Sequence, residues 1–186
     1  SIGGNCKFCD AGYSSDIIEA TNCERCDMGK YSNGINSVYC EDCPQGYFSK
    51  NVGSDKCIAC IAGKFSITAA SDDSENCLHC EAGRISNTGE TACIICEIGK
   101  WSKNSVDCIE CSKGKYSSMY NIVSDIECKL CTIGKYSNIT GLNDENECIS
   151  CEEGKIGLTY GATSISSCFS CESGKFKFSE NECKQC

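Results

Sequence analysis

Residues 23–32 read CERCDMGKYS: a Cys-x-x-Cys pair, two further residues, then glycine, a base, an aromatic and serine. Such a pair serves as a metal knuckle, a redox centre or part of a disulfide framework, and the three uses imply different proteins. The stretch returns almost unchanged as CEDCPQGYFS from Cys40, CIACIAGKFS from Cys57, CIICEIGKWS from Cys93, CIECSKGKYS from Cys108 and CKLCTIGKYS from Cys128. Weaker copies begin at Cys6, Cys77, Cys148 and Cys168, and Cys183 with Cys186 makes an eleventh pair, so all 22 cysteines belong to pairs of this kind. Self-similarity at a spacing of 15 to 20 residues is the signature of an array in which each unit packs on its neighbours. The expected organisation is one continuous array over residues 1–186, with repeats starting near residues 6, 23, 40, 57, 77, 93, 108, 128, 148, 168 and 183.

Composition narrows the compartment. Cysteine is about 12% of the 186 residues, above the roughly 8–10% at which a short chain reads as a disulfide scaffold, and that points away from the reducing cytosol. Each repeat supplies only one or two large apolar residues, so the cysteines must replace an ordinary core. No apolar run approaches the roughly 20 residues of a spanning helix, and nothing has a signal peptide's charged start and apolar middle. The opening SIGGNC resembles the tail of a repeat (compare SNTGETAC, residues 86–93), so the chain is expected to be a window of a longer one. A net charge of −9 argues against nucleic acid and anionic membrane surfaces as partners. Usage of 15 Lys against 2 Arg, 13 Asn and a single Pro looks like that of an AT-rich genome, such as a protist's.

Zinc, redox chemistry and structural disulfides make different demands on the pairs. The gaps between pairs run from 11 to 16 residues, which overlaps the spacing of four-cysteine zinc sites. Eleven pairs cannot be divided into such sites without an orphan, and the sole histidine, His79, sits between Cys77 and Cys80 where it replaces no ligand. A redox Cys-x-x-Cys acts once, at a helix N-terminus in a βαβ frame, and no such frame is present. Eleven equivalent copies indicate construction, so structural disulfides are the expected use, with no metal or cofactor. The clustered carboxylates of SDDSEN (71–76) and NDENE (143–147) are of the type that binds calcium, but both lack the spacing and glycine of an EF-hand loop.

Within one repeat, the third residue after the second cysteine is glycine in every complete copy, from Gly12 and Gly29 to Gly154 and Gly174. Glycine at one fixed offset implies positive φ or a backbone approach too close for a Cβ. A base and a large apolar residue follow, as in Lys30-Tyr31, Lys64-Phe65 and Lys100-Trp101. This alternation predicts a short strand with one face outward and the apolar residue as a lid over sulfur. The polar, variable segment that follows reads as a loop returning to the next cysteine.

The unit Cys-x-x-Cys-x-x-Gly-[Lys/x]-[Tyr/Phe]-Ser, followed by about ten polar residues and another pair, resembles the ephrin-receptor-like repeat of the growth-factor-receptor cysteine-rich superfamily. It is also similar to the first module of tumour necrosis factor receptor repeats and to the surface immobilisation antigens of ciliates. The resemblance implies small disulfide-rich repeats, an elongated solenoid-like rod of short β-hairpins and coil with little or no helix, and an extracellular or cell-surface location. The receptor module further implies a connectivity, Cys9 to Cys23, Cys26 to Cys40, Cys43 to Cys57, Cys60 to Cys77 and Cys80 to Cys93. It continues Cys96 to Cys108, Cys111 to Cys128, Cys131 to Cys148, Cys151 to Cys168 and Cys171 to Cys183. Linking pairs first-to-first and second-to-second is the alternative, and with eleven pairs it strands one. Cys6 and Cys186 remain over and are candidates for a bond between successive units. The receptors' interlocked second modules are absent, so no ligand site is carried across.

The function expected is structural: a secreted rod, on the order of 100 Å long if each repeat advances roughly 10 Å, forming a surface coat or filament by head-to-tail continuation. Its partners would be other copies of itself or other extracellular proteins. Asn138-Ile139-Thr140 offers an N-glycan site. The alternative is a receptor ectodomain whose loops bind a protein ligand. No enzyme is expected, since His79 alone cannot supply a triad and there is no phosphate loop or rigid carboxylate pair.

Overall fold

A computed structural model describes residues 8–15, 22–35 and 37–186. The chain divides into two compact units, Ser1–Cys80 with Ile85–Ile94, and Glu81–Arg84 with Ile95–Cys186. Both units are built of one element, a two-stranded antiparallel hairpin whose strands flank a loop. In the first unit the pairs are Tyr13–Ser14 with Glu24–Arg25, Lys30–Tyr31 with Glu41–Asp42, Tyr47–Phe48 with Ile58–Ala59, and Lys64–Phe65 with Leu78–His79. The second unit holds Lys100–Trp101 with Ile109–Glu110, Lys115–Tyr116 with Lys129–Leu130, and Lys135–Tyr136 with Ile149–Ser150. Longer strands close it, Lys155–Gly157 with Cys168–Ser170 and Lys175–Ser179 with Glu182–Gln185. A further hairpin pairs Arg84–Ile85 with Ile94–Ile95.

Each hairpin begins with a turn that the sequence dictates. In the second repeat the amide of Lys30 donates to the carbonyl of Asp27 across Met28 and Gly29, and Gly29 has φ +79°. A four-residue turn with positive φ at its third position is type II, the conformation that selects glycine there. The carbonyl of Gly29 then accepts from the amide of Cys43, which closes the hairpin beside its bridge.

Helical structure among the described residues is confined to single 3₁₀ turns at Ser74–Asn76, Glu145–Glu147 and Ile165–Ser167. These lie in loops with 16 residues between cysteine pairs, where the turn takes up the extra length. Asp73 and Asp144, members of the two acidic clusters, cap two of them by accepting from the amides of Glu75 at 2.9 Å and Asn146 at 2.8 Å. No helix among the described residues is long and apolar enough to cross a membrane.

The core is mostly sulfur. Of the 17 buried apolar residues among those described, 12 are cysteines, and the others are Phe48, Tyr116, Ile122, Leu142 and Ala162. Phe48 packs on Cys60 and Cys77, Tyr116 on Cys131, Cys148 and Leu142, and Trp101 against Cys111, Cys128 and Ile122. The apolar lid of one hairpin therefore covers the bridge of the next.

Lys115 and Asp125 form a sheltered ion pair. Lys115 Nζ lies 2.6 Å from Asp125 Oδ2, and Asp125 Oδ1 accepts from the amide of Ser112 at 2.8 Å. Partial burial works against the charged carboxylate, but these hydrogen bonds and the Lys115 charge outweigh it and hold Asp125 below the usual carboxylate range. A depressed folded-state pKa contributes stability above the unfolded value of about 3.9, and that stability is lost as pH falls through the folded value. Asp125→Asn is expected to lower the protection of the Ser112 amide against hydrogen exchange by about 1–2 kcal/mol at neutral pH. Wild-type protection should fall towards the variant's on acidification; equal protection at pH 7 would show that the pair contributes nothing.

Candidate functional site

The cysteines form a ladder. Bridges join Cys9 to Cys23, Cys26 to Cys40, Cys43 to Cys57, Cys60 to Cys77, Cys80 to Cys93, Cys96 to Cys108, Cys111 to Cys128, Cys131 to Cys148, Cys151 to Cys168 and Cys171 to Cys183. These are the partners that the receptor-module resemblance implies. Their Cα atoms stand 5.5 to 6.0 Å apart, within the range a relaxed bridge requires. Cys186 is exposed with a free thiol, and Cys6 lies outside the described residues.

Between the rungs lies a second ladder, made of backbone. The amide of Gly29 donates to the carbonyl of Ser49 in the following repeat at 2.7 Å, and the amide of Ser49 donates to Ser71 one repeat further on at 3.0 Å. In return, a loop amide reaches back to a cysteine carbonyl, Ala70 to Cys43, Gly141 to Cys111 and Gly161 to Cys131, each at 2.8 to 2.9 Å. The same three bonds recur along each unit. They clamp the turn glycine and the serine of each repeat into the loop of its neighbour.

The glycine column meets a further layer. Its open side packs on the loop two repeats ahead, Gly29 on Ala70, Gly46 on Gly89, Gly83 on Asn121 and Gly114 on Gly161. The loop residue received there has positive φ itself: Gly53, Ala70, Gly89, Asn121, Gly141 and Gly161 range from +54° to +80°. Immediately after it stands a residue that is often buried, as Ser71, Ile122, Leu142 and Ala162 are.

The serine column and this left-handed loop residue are functional positions that sequence reasoning passed over. The serines Ser32, Ser49, Ser66, Ser86, Ser102, Ser117 and Ser137 are all buried. A signal was available, because the left-handed residue falls three or four positions after the serine in the loops from Ser49 to Ser137, with the length variation coming later.

Other sequence candidates are on the surface. His79 is exposed, opposite Lys64 in its hairpin. Asn138 and Thr140 are both exposed, and the Thr140 hydroxyl bonds to the Glu110 carboxylate. Of the lid aromatics, Phe48 and Tyr116 are buried and Trp101 packs on a bridge. Among the described residues, no three His, Cys, Asp or Glu side chains converge on a site for a metal ion.

A serial array of small disulfide-rich hairpins with almost no helix defines the class: a cysteine-rich repeat protein. Residues 29–77 match the family described as tyrosine-protein kinase ephrin type A/B receptor-like, and the hairpins and bridges on either side of that segment repeat its pattern. No curated protein matches the chain. Ten bridges in series and an ephrin-receptor-like segment point to an extracellular or surface setting.

Proposed function

We propose that this chain is a structural, non-catalytic element of an extracellular or cell-surface layer, a stiff rod whose length and rigidity are its function and which continues head to tail into a coat or filament. The observation that carries the reading is the doubled ladder. Most steps within a unit are held both by a covalent bridge and by backbone hydrogen bonds from buried glycine and serine, so bending there would break buried bonds that water cannot replace. The exposed thiol of Cys186 would bond Cys6 of the next copy where continuation is covalent, and the exposed Asn138 would carry a glycan, as suits a secreted surface.

Small-angle scattering on the oxidised chain tests the rod. Eleven steps of roughly 10 Å make a rod with a radius of gyration of about 30 Å, whereas a globule of this length has about 16 Å. A value near the globular figure would end the rod reading. Electron microscopy of native material, with and without reductant, then tests for filaments and their dependence on disulfides.

A receptor ectodomain is the second reading. It is favoured by Ile58, Leu78 and Ile94, which follow the first cysteine in three successive repeats and are about half exposed. A membrane-spanning segment downstream in the parent transcript would support it over the coat.

A further inference from the structure

Within the second unit, three successive repeats frame an open groove of about 440 Å³, lined mainly by polar atoms. The hairpin after Cys96 gives it Glu97, Ile98 and Lys100, the loop of the next repeat gives Tyr120, and the loop after that gives Gly141 and Asn143. The backbone ladder holds these positions in place. Tyr120 precedes Asn121, which sits over Gly83 with φ +66°, and then the buried Ile122, whose carbonyl accepts from the amide of Ser102 at 3.1 Å. Gly141 donates to the carbonyl of Cys111 at 2.9 Å, and Asn143 follows the buried Leu142 and lays its carboxamide oxygen against Gly99. The volume is that of a small-molecule site.

The chemistry of the lining selects the ligand. Glu97 and Lys100 stand 3.4 Å apart and neutralise each other, so neither is left to capture an ion of opposite sign. A metal ion would need several converging ligands, and no three His, Cys, Asp or Glu side chains converge among the described residues. A neutral molecule with several hydroxyl groups fits, because each hydroxyl both donates and accepts. The Glu97 carboxylate accepts, the Lys100 ammonium donates, and the Asn143 carboxamide does both. Tyr120, 59% exposed, offers its ring as an apolar platform beside these polar groups. The combination belongs to this step of the array. One repeat on, the places of Tyr120 and Asn143 are held by Thr140 and Thr163, and one repeat back by Asn104 and Val123.

We infer that this groove binds a neutral saccharide, with Tyr120 under the C–H face of the sugar ring and Glu97, Lys100 and Asn143 holding its hydroxyl groups. The site lies in the second unit alone and does not depend on whether the chain continues into a filament. It gives a structural rod a means of gripping the glycans of the layer around it.

A heteronuclear NMR titration of the isotope-labelled, oxidised chain tests the site. The probes are methyl α-mannopyranoside and N,N′-diacetylchitobiose, with sorbitol as an acyclic polyol that has hydroxyls but no ring face, each to about 50 mM. An open, solvated groove holds a ligand of this size weakly, so a Kd of about 1–10 mM is expected for at least one cyclic probe. Shifts should centre on the amides of Tyr120, Gly141 and Asn143, and sorbitol should cause none. Tyr120→Ala should weaken binding at least about fivefold, whereas Tyr120→Phe, which keeps the ring, should retain most of it. Asn143→Ala should weaken it by about fivefold as well. Both side chains are exposed, so the rest of the spectrum should stay as it is and report an intact fold. No response to either cyclic probe, an equal response to sorbitol, or binding that Tyr120→Ala leaves unaltered would overturn the saccharide site. The rod reading is judged separately, by the radius of gyration.

Discussion

Treatment with reductant at neutral pH and 25 °C is expected to unfold the chain completely, while the oxidised protein withstands heating and protease. Trp101, the single tryptophan, reports the change: it packs on the Cys111–Cys128 bridge, and its emission should move to that of a solvated indole. The size of the effect follows from what remains once sulfur is removed. Five non-cysteine apolar residues are buried among those described, and at about 2 kcal/mol each they cannot offset an ordering cost of about 1–2 kcal/mol per residue. The bridges act on the unfolded side. Each closes a loop of 12 to 17 residues, worth about 3 kcal/mol in the chain-entropy account. Removing one bridge by Cys111→Ser with Cys128→Ser should cost about 2–5 kcal/mol and be felt first at Trp101 and Tyr116, with distant repeats keeping their protection, as nearest-neighbour arrays do. A reduced chain that keeps the native emission and protease resistance would mean that packing, not sulfur, holds the fold.

What could be read from residues alone divides along a physical line. The hairpins were legible because turn and strand are local: a glycine at one offset, then a base and an aromatic, specify the type II turn and the two-residue strand without reference to other repeats. The pairing of cysteines was not fixed by spacing, since neighbouring pairs admit two linkages, and only the family likeness chose between them. The serine column shows why contacts between repeats stayed hidden. Serine is ordinarily a surface residue, yet Ser117 is buried because its amide donates to Leu142, its carbonyl accepts from Gly99, and its hydroxyl turns back to its own loop at Met119. All three are backbone demands, which leave a requirement for smallness and nothing more. The loops concealed their seat residue in the same way. Ala70 and Asn121 adopt positive φ where Gly141 and Gly161 stand in other repeats, so no single residue type marks the position. The depth of the glycines was hidden too, because Gly154 and Gly174 are exposed yet read like the buried members of their column.

That contrast permits a test of the backbone ladder separate from the bridges. Ala has the smallest side chain that adds a Cβ, and Gly114→Ala and Gly154→Ala place it on nearly the same backbone, φ +75° and +77°. The left-handed conformation costs alanine about 1–2 kcal/mol at both positions. At Gly154 nothing more is added, since the Cβ projects into open space. At Gly114 it would lie 2.7 Å from the Gly161 carbonyl carbon and 3.0 Å from the Ala162 carbonyl oxygen. Neither group can withdraw cheaply, because Gly161 donates to Cys131 at 2.8 Å and Ala162 accepts from Ser137 at 2.9 Å. The loop must therefore leave its seat, breaking those bonds and uncovering Leu142 and Ala162. Gly114→Ala is expected to cost about 3–5 kcal/mol against about 1–2 kcal/mol for Gly154→Ala. Hydrogen exchange at the Gly161 and Ser137 amides, in the fully oxidised protein, measures the difference where it arises. Because both variants keep all ten bridges, equal protection in the two would show that the disulfides alone set the spacing of the repeats and that the buried glycines contribute no rigidity.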